Sequence, residues 1–248
     1  MAGQYSGRHA IVTGAGSGVG AAVALALADA GATVTIVGRR RAALEEVARA
    51  NMRLIPAVAD VTDAASLRQA IDAAVAKVGP ASIVVANAGA AESAPFARTT
   101  PDAFRATIEV NLTGVFNTFQ AGLMSMAPGG RLIAIASTAA LKGYPYVSAY
   151  CAAKHGVVGL VRSLALELAS TGTTVNAICP GYTETPMLDN IVARTGRSRT
   201  EAEAMLKAGN PQKRFIQPRE IAETVAWLCS EAAASVTGQA ISISGGET

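Results

Sequence analysis

Short, almost wholly apolar runs recur along the chain at residues 9–13, 33–37, 54–58, 82–86, 131–136, 173–178 and 240–243. They are rich in β-branched residues, as strands are. Between them lie Ala- and Leu-rich amphipathic stretches, roughly 18–30, 40–50, 63–78, 101–126, 148–170, 185–208 and 218–231. Seven strands alternating with helices predict an α/β fold with a doubly wound parallel sheet. Strands this apolar need helices over both faces. The alternation runs into the last ten residues with no linker, repeat or low-complexity tract, so residues 1–248 read as one domain. Residues 185–214 stand apart: polar and basic, with Gly196, Gly209 and Pro211, they read as a mobile lid rather than sheet cover.

Composition narrows the classes. Half of the chain is hydrophobic and only 16% is charged, which excludes a disordered chain. A net charge of +3, with five Phe, five Tyr and one Trp, gives neither the basic patch nor the stacking groups of a nucleic-acid binder. The longest uncharged run, residues 110–130, contains Asn111, Asn117, Gln120 and Pro128, so no membrane span is expected. Residues 1–6 lack a secretory signal pattern. Cys151, Cys179 and Cys229 are odd in number and scattered, which suits small buried hydrophobes in a reducing, cytoplasmic setting. With only His9 and His155 beside them, no metal site has ligand-like spacing.

The first strand runs into Thr13-Gly14-Ala15-Gly16-Ser17-Gly18-Val19-Gly20 and then a helix. A pyrophosphate must approach bare backbone N–H groups at a helix N-terminus, and side chains there would block it. No Lys-Ser/Thr pair follows, which disfavours a P-loop. A tight turn in a Gly-rich protein is the plainer alternative, and the place between strand and helix favours a dinucleotide. The acidic residue that holds an NAD ribose about 20 positions on is missing. The second strand ends in Val37-Gly38-Arg39-Arg40-Arg41 instead. Arg39 suits a 2′-phosphate by charge and planar geometry, so NADP is expected over NAD. A solvated helix start is the other account of these arginines.

Tyr150 and Lys154 are four apart in a helical pattern and share a face. A Tyr hydroxyl titrates near pH ~10. A neighbouring ammonium stabilises the phenolate, so this one is expected to exchange protons near neutral pH. Ser137 ends the fifth strand, where an open parallel sheet holds its ligands.

At this point the chain strongly resembles the short-chain dehydrogenase/reductase family. The shared motifs run nearly end to end: Thr13-Gly14-x3-Gly18-x-Gly20, Asp60-Val61, Asn87-Ala88-Gly89, Asn111, Ser137, Tyr150-x3-Lys154, Pro180-Gly181 and Thr185. Ala86 stands where relatives commonly have a second Asn. The resemblance implies a Rossmann fold, an NAD(P)-dependent ketone/alcohol oxidoreductase and a homotetramer or homodimer, with residues 238–246 and the long helices between subunits. Tyr150 would then be the acid/base, and Ser137 would orient the carbonyl. Lys154 would bind the nicotinamide ribose and lower the Tyr150 pKa. Asn111 would hold a water that relays protons, its alternative being a buried helix-bending amide.

Gly14, Ser17, Gly18, Val19, Gly20 and Arg39 would bind the cofactor's phosphates and ribose. Asp60 would accept from adenine with Val61 near the ring, and Asn87 and Gly89 would line the channel. Pro180, Gly181, Thr183 and Thr185 would position the nicotinamide. Ser17 sits where NADP-preferring relatives are often basic, which weighs against NADP.

The substrate is a small carbonyl or alcohol. Residues 90–96, 138–146 and 182–209 would wall its pocket, and Leu141, Tyr144, Tyr146, Met187 and Leu188 make that wall mostly apolar. Local sequence looks most like ketoreductases of 3-oxoacyl thioesters. Arg194, Arg197, Arg199, Lys207, Lys213 and Arg214 face only Glu201 and Glu203 between residues 190 and 214, which suits CoA or carrier phosphates. A free hydrophobic ketone or secondary alcohol is the alternative substrate. A non-catalytic NADP-binding regulator is disfavoured by the intact Ser137, Tyr150, Lys154 and Asn111. A lyase or epimerase would need a further substrate domain.

Overall fold

The computed structural model describes residues 3–194 and 196–248; the side chains of Asn190 and Arg194 also lie outside the described set. Among the described residues, seven parallel strands form one sheet: β1 (His9–Thr13), β2 (Thr33–Gly38), β3 (Leu54–Val58), β4 (Ala81–Ala86), β5 (Arg131–Ile135), β6 (Thr174–Pro180) and β7 (Ala240–Ile243). Their order is β3-β2-β1-β4-β5-β6-β7. Strand order reverses between β1 and β4, which opens a crevice at their carboxyl ends.

The helices are α1 (Gly18–Asp29), α2 (Arg41–Ala48), α3 (Ala64–Val78), α4 (Pro101–Ile108), α5 (Gly114–Leu123), α6 (Ser148–Leu168), α7 (Pro186–Arg194), α8 (Arg199–Ala208) and α9 (Pro218–Leu228). Alternate strand residues feed two cores. Ala10, Val12, Val34, Ile36, Ile83 and Val85 pack with α1 and α9. Ile11, Val37, Val84, Leu132 and Val175 pack with α3, α5 and α6. No helix among the described residues is long and apolar enough to cross a membrane.

Two expected helices are interrupted. The stretch 101–126 is broken by a π-turn at Glu109–Thr113 that carries Asn111. The stretch 185–208 splits into α7 and α8, because Ser198 and Glu201 form a capping box that starts a new helix.

Residues 185–214, expected as a mobile lid, are more built than their polarity suggests. Leu188, Val192, Ala202, Leu206 and Phe215 form a third small core of their own. The lid's cations are also engaged. Arg199 pairs with Asp189 and Glu203, Lys207 with Glu203, and Arg214 with Glu220 through two bonds. Lys213 donates to the Ala208 carbonyl. The expected array of available positive charge is therefore corrected: Asp189 and Glu220, just outside the counted window, neutralise much of it. The Arg194 side chain falls outside the described residues.

Candidate active site

The glycine turn divides into two kinds of glycine. Gly14, at φ +67°, has no room for a side chain: a Cβ there would lie 2.7 Å from Ala88 Cα. At Gly20 it would lie 2.4 Å from Asn87 Nδ2 and 2.5 Å from the Gly14 carbonyl oxygen. Both positions let Asn87 stitch β4 to β1, its amide donating to the carbonyls of Thr13 and Gly14 at 3.0 and 3.2 Å. Gly18 instead faces Thr185 across the crevice; a Cβ there would lie 3.2 Å from the Thr185 methyl. Ser17 caps α1 through its backbone only, and the first turn carries no acidic residue. The free N–H groups and positive end of α1 are thus left for an anion. Val19 is half-buried against the core. This cradle fits a dinucleotide pyrophosphate.

Beyond β3, Asp60 Oδ1 is held by the backbone N–H and hydroxyl of Thr62 at 3.0 and 2.9 Å. Its Oδ2 faces the exposed Arg39 guanidinium at 3.7 Å. The Thr62 N–H holds this carboxyl below the usual carboxylate range, with a smaller contribution from Arg39. Arg40 caps α2, and Arg41 pairs with Glu45. Val61 turns its side chain into the core under Gly114, where a Cβ would lie 2.7 Å from it, so little of it remains for a ring.

Ser137, Tyr150 and Lys154 meet at the carboxyl ends of β5 and β6. Ser137 follows β5 and accepts from the Ala139 N–H at 3.1 Å, which fixes its hydroxyl oxygen. Lys154 is buried, donates to the Ile135 carbonyl at 2.9 Å, and sits 5.6 Å from the Tyr150 ring centre. Burial pulls its ammonium down to about 8.

Part of Tyr150 is solvent-accessible, yet burial of its hydroxyl pushes its pKa up to about 12. The main counterweight is the neighbouring Ser137 hydroxyl. The expected lowering by Lys154 acts against this desolvation. Desolvation is the largest influence on the hydroxyl, and one of the three N–H donors of Lys154 goes to Ile135.

Asn111 is fully buried and its amide is committed. Nδ2 donates to the carbonyls of Ala90 and Thr107 at 2.8 and 3.0 Å, and Oδ1 accepts from the Ala90 N–H at 3.2 Å. The second lone pair of Oδ1 and the main-chain carbonyl in the π-turn are the acceptors left for a relay water. A Cβ on Gly89 would lie 2.9 Å from Asn111 Oδ1 and 3.7 Å from Lys154 Nζ, so the three positions adjoin.

Thr183 donates to the Gly181 carbonyl at 2.9 Å, and Thr185 donates to that of Thr183 at 3.4 Å. Together they shape the turn after Pro180. That turn bridges to Ile216, which closes the lid's far end on it. Two expected wall residues change role: Leu188 belongs to the lid's own core, and the Tyr144 hydroxyl is tied into a polar cluster.

That cluster centres on Glu247, which the motifs did not single out. His155 is exposed and bonds the Cys151 carbonyl; Cys179 is buried, its thiol raised by desolvation. No group of metal-ligating side chains occurs among the described residues.

The chain is similar to known proteins over most of its length. The profile of the family described as Enoyl-(Acyl carrier protein) reductase matches residues 14–248. A putative ketoacyl reductase of Streptomyces coelicolor is 37% identical over 214 residues, 83% of this chain and 82% of the relative. Cis-4-hydroxycyclohexanecarboxylate dehydrogenase of Sinomonas cyclohexanicum is 38% identical over 255 residues, 100% of this chain and 99% of the relative. Among solved structures, a single-substitution variant of actinorhodin polyketide ketoreductase with NADPH superposes with a TM-score of 0.93 at 36% identity, covering 100% of this chain and 99% of that one.

Proposed function

Because this chain belongs to the short-chain dehydrogenase/reductase family and is an NAD(P)-dependent oxidoreductase, we propose that it reduces the ketone of a 3-oxoacyl thioester to the secondary alcohol, with NADP(H) preferred. The observation that carries the ketone reading is the convergence of the Ser137 and Tyr150 hydroxyls beside Lys154. Two hydroxyls converging on one point suit a single carbonyl oxygen better than the carbon–carbon double bond named in the family description.

Gly14, Gly18, Gly20, Asn87 and the turn from Pro180 to Thr185 would hold the cofactor. When bound, the reduced nicotinamide supplies the hydride. Ser137 orients and polarises the carbonyl. Tyr150 donates its hydroxyl proton to the developing alkoxide. Lys154 stabilises the phenolate left behind.

Arg39, with no carboxylate after β2, supports NADP. The Asp60 partner at 3.7 Å is an exposed ion pair, which a phosphate can displace. The half-buried edge strand β7 supports association into a homodimer or homotetramer. A cytoplasmic location accords with free Cys151, Cys179 and Cys229.

A second reading, a free cyclic ketone or alcohol, is favoured by the internal pairing of the lid's cations and by the Sinomonas relative that matches this chain end to end. Following reduced-nicotinamide absorbance with acetoacetyl-CoA, cyclohexanone and crotonyl-CoA tests the three chemistries together. Turnover of acetoacetyl-CoA well above that of cyclohexanone supports the first reading. The reverse supports the second, and turnover of crotonyl-CoA alone contradicts both.

A further inference from the structure

Three residues of the loop that begins at Ser137 connect to one distant carboxylate. Ser137 opens a tight turn, Thr138–Ala140, and the chain leaves it through Lys142 and Tyr144. The Tyr144 hydroxyl lies 2.6 Å from Glu247 Oε1 and 2.7 Å from the Thr138 hydroxyl. A phenol has one proton. The carboxylate can only accept it, so Tyr144 donates to Glu247 and Thr138 donates to Tyr144. Lys142 closes the cluster, with Nζ 3.0 Å from the same oxygen and 4.9 Å from the Tyr144 ring centre. The Glu247 side chain is 6% exposed. A buried carboxylate is retained only where such partners repay its desolvation.

The segment bearing Glu247 is itself fixed. Gly181 donates to the Ile243 carbonyl at 3.0 Å. Gly245, at φ +63°, leaves room for Asn210 from the lid; a Cβ there would lie 2.2 Å from the Asn210 Oδ1. The Thr248 N–H donates to Ser244 Oγ at 3.2 Å.

We propose that Glu247 is a positioning residue for Ser137, holding the serine's turn through Tyr144 and Thr138 and tying it to the end of the lid. Ser137 in turn touches the carbonyl oxygen, so the inference rests on the ketone-reducing reading. Glu247 does not touch the reacting atoms, and its effect is on kcat for the carbonyl substrate rather than on cofactor affinity.

The test is a double-mutant cycle on the purified full chain, with NADPH and whichever of acetoacetyl-CoA or cyclohexanone turns over faster. Glu247→Ala should lower kcat about tenfold, the scale of one lost hydrogen bond. Glu247→Gln, which can still accept from Tyr144, should restore most of the loss. NADPH affinity, read by fluorescence titration, should stay near that of the wild type in both. In a Ser137→Ala background the Glu247→Ala effect should vanish, because the group it positions is gone. Tyr144→Phe, which preserves the ring, should reproduce the kcat loss if Glu247→Ala folds poorly.

Equal losses in both backgrounds, or a wild-type kcat in Glu247→Ala, overturns the proposal. A Ser137→Ala variant with wild-type kcat would instead show that the ketone reading of Ser137 is wrong, and the proposal falls with it.

Discussion

Lys154 donates to the main-chain carbonyl of Ile135 at 2.9 Å, two residues before Ser137. One bond thus holds the lysine's helix, α6, to the strand that delivers the serine. It also puts an ammonium in a buried place, which pulls its pKa from 10.5 to about 8.

That depression has a defined sign. Between about pH 8 and 10.5 the unfolded chain binds a proton at this site that the folded chain has lost. This group therefore makes stability rise with pH across that window, and its full cost is present below it. Lys154→Met should be more stable than wild type at pH 7, by up to about 3 kcal/mol. The gap should close by about pH 10.5 while turnover is lost. Urea unfolding of both proteins at pH 7 and pH ~10 checks this; a gap independent of pH would contradict it.

Gly20 and Gly159 make a matched pair in helices α1 and α6. Alanine in place of helical glycine ordinarily stabilises by about 1 kcal/mol. Nothing lies within 4 Å of a Cβ at Gly159, so Gly159→Ala should raise the melting temperature. At Gly20 the Cβ would meet Asn87 and the Gly14 carbonyl, so Gly20→Ala should destabilise by about 1–3 kcal/mol and weaken NADPH binding. Thermal melts and cofactor titration decide both.

Arg39→Asp should turn cofactor preference from NADPH towards NADH, because a carboxylate repels a 2′-phosphate and accepts the 2′-hydroxyl. Its guanidinium is exposed and bound only at 3.7 Å to Asp60, so the fold should tolerate the change. The check is kcat/KM with each cofactor. A wild type already faster with NADH would remove the basis of the assignment.

The lid's small core is separate from the two that flank the sheet. Leu206→Ala should therefore loosen the lid by about 2–5 kcal/mol. It should raise KM for the carbonyl substrate while leaving the main unfolding transition nearly in place. Steady-state kinetics beside calorimetry tests this; a lowered main transition with unchanged KM would show that the lid core belongs to the global fold.

The fold is legible in the sequence because its signals are local: apolar strands and a 3.6-residue helical period alternate plainly from His9 to Ile243. The glycine turn and the Tyr150-x3-Lys154 spacing are legible for the same reason. What escapes depends on partners distant in sequence. Glu247 meets Tyr144 across 103 positions, with no local pattern to announce it. The lid's charge is overstated by a local count because Arg214–Glu220 and Asp189–Arg199 each cross a helix boundary, whereas Arg199–Glu203 follows the i,i+4 rule. Burial, which spacing alone does not give, sets the Tyr150 hydroxyl.

Tyr150→Phe removes the proton that Tyr150 is proposed to donate and keeps the ring. Rates of ketone reduction and NADPH affinity would be measured side by side. If Tyr150 donates the proton, kcat falls about 10²–10⁴-fold with cofactor affinity near that of the wild type. A variant that reduces the ketone at close to the wild-type rate would contradict it.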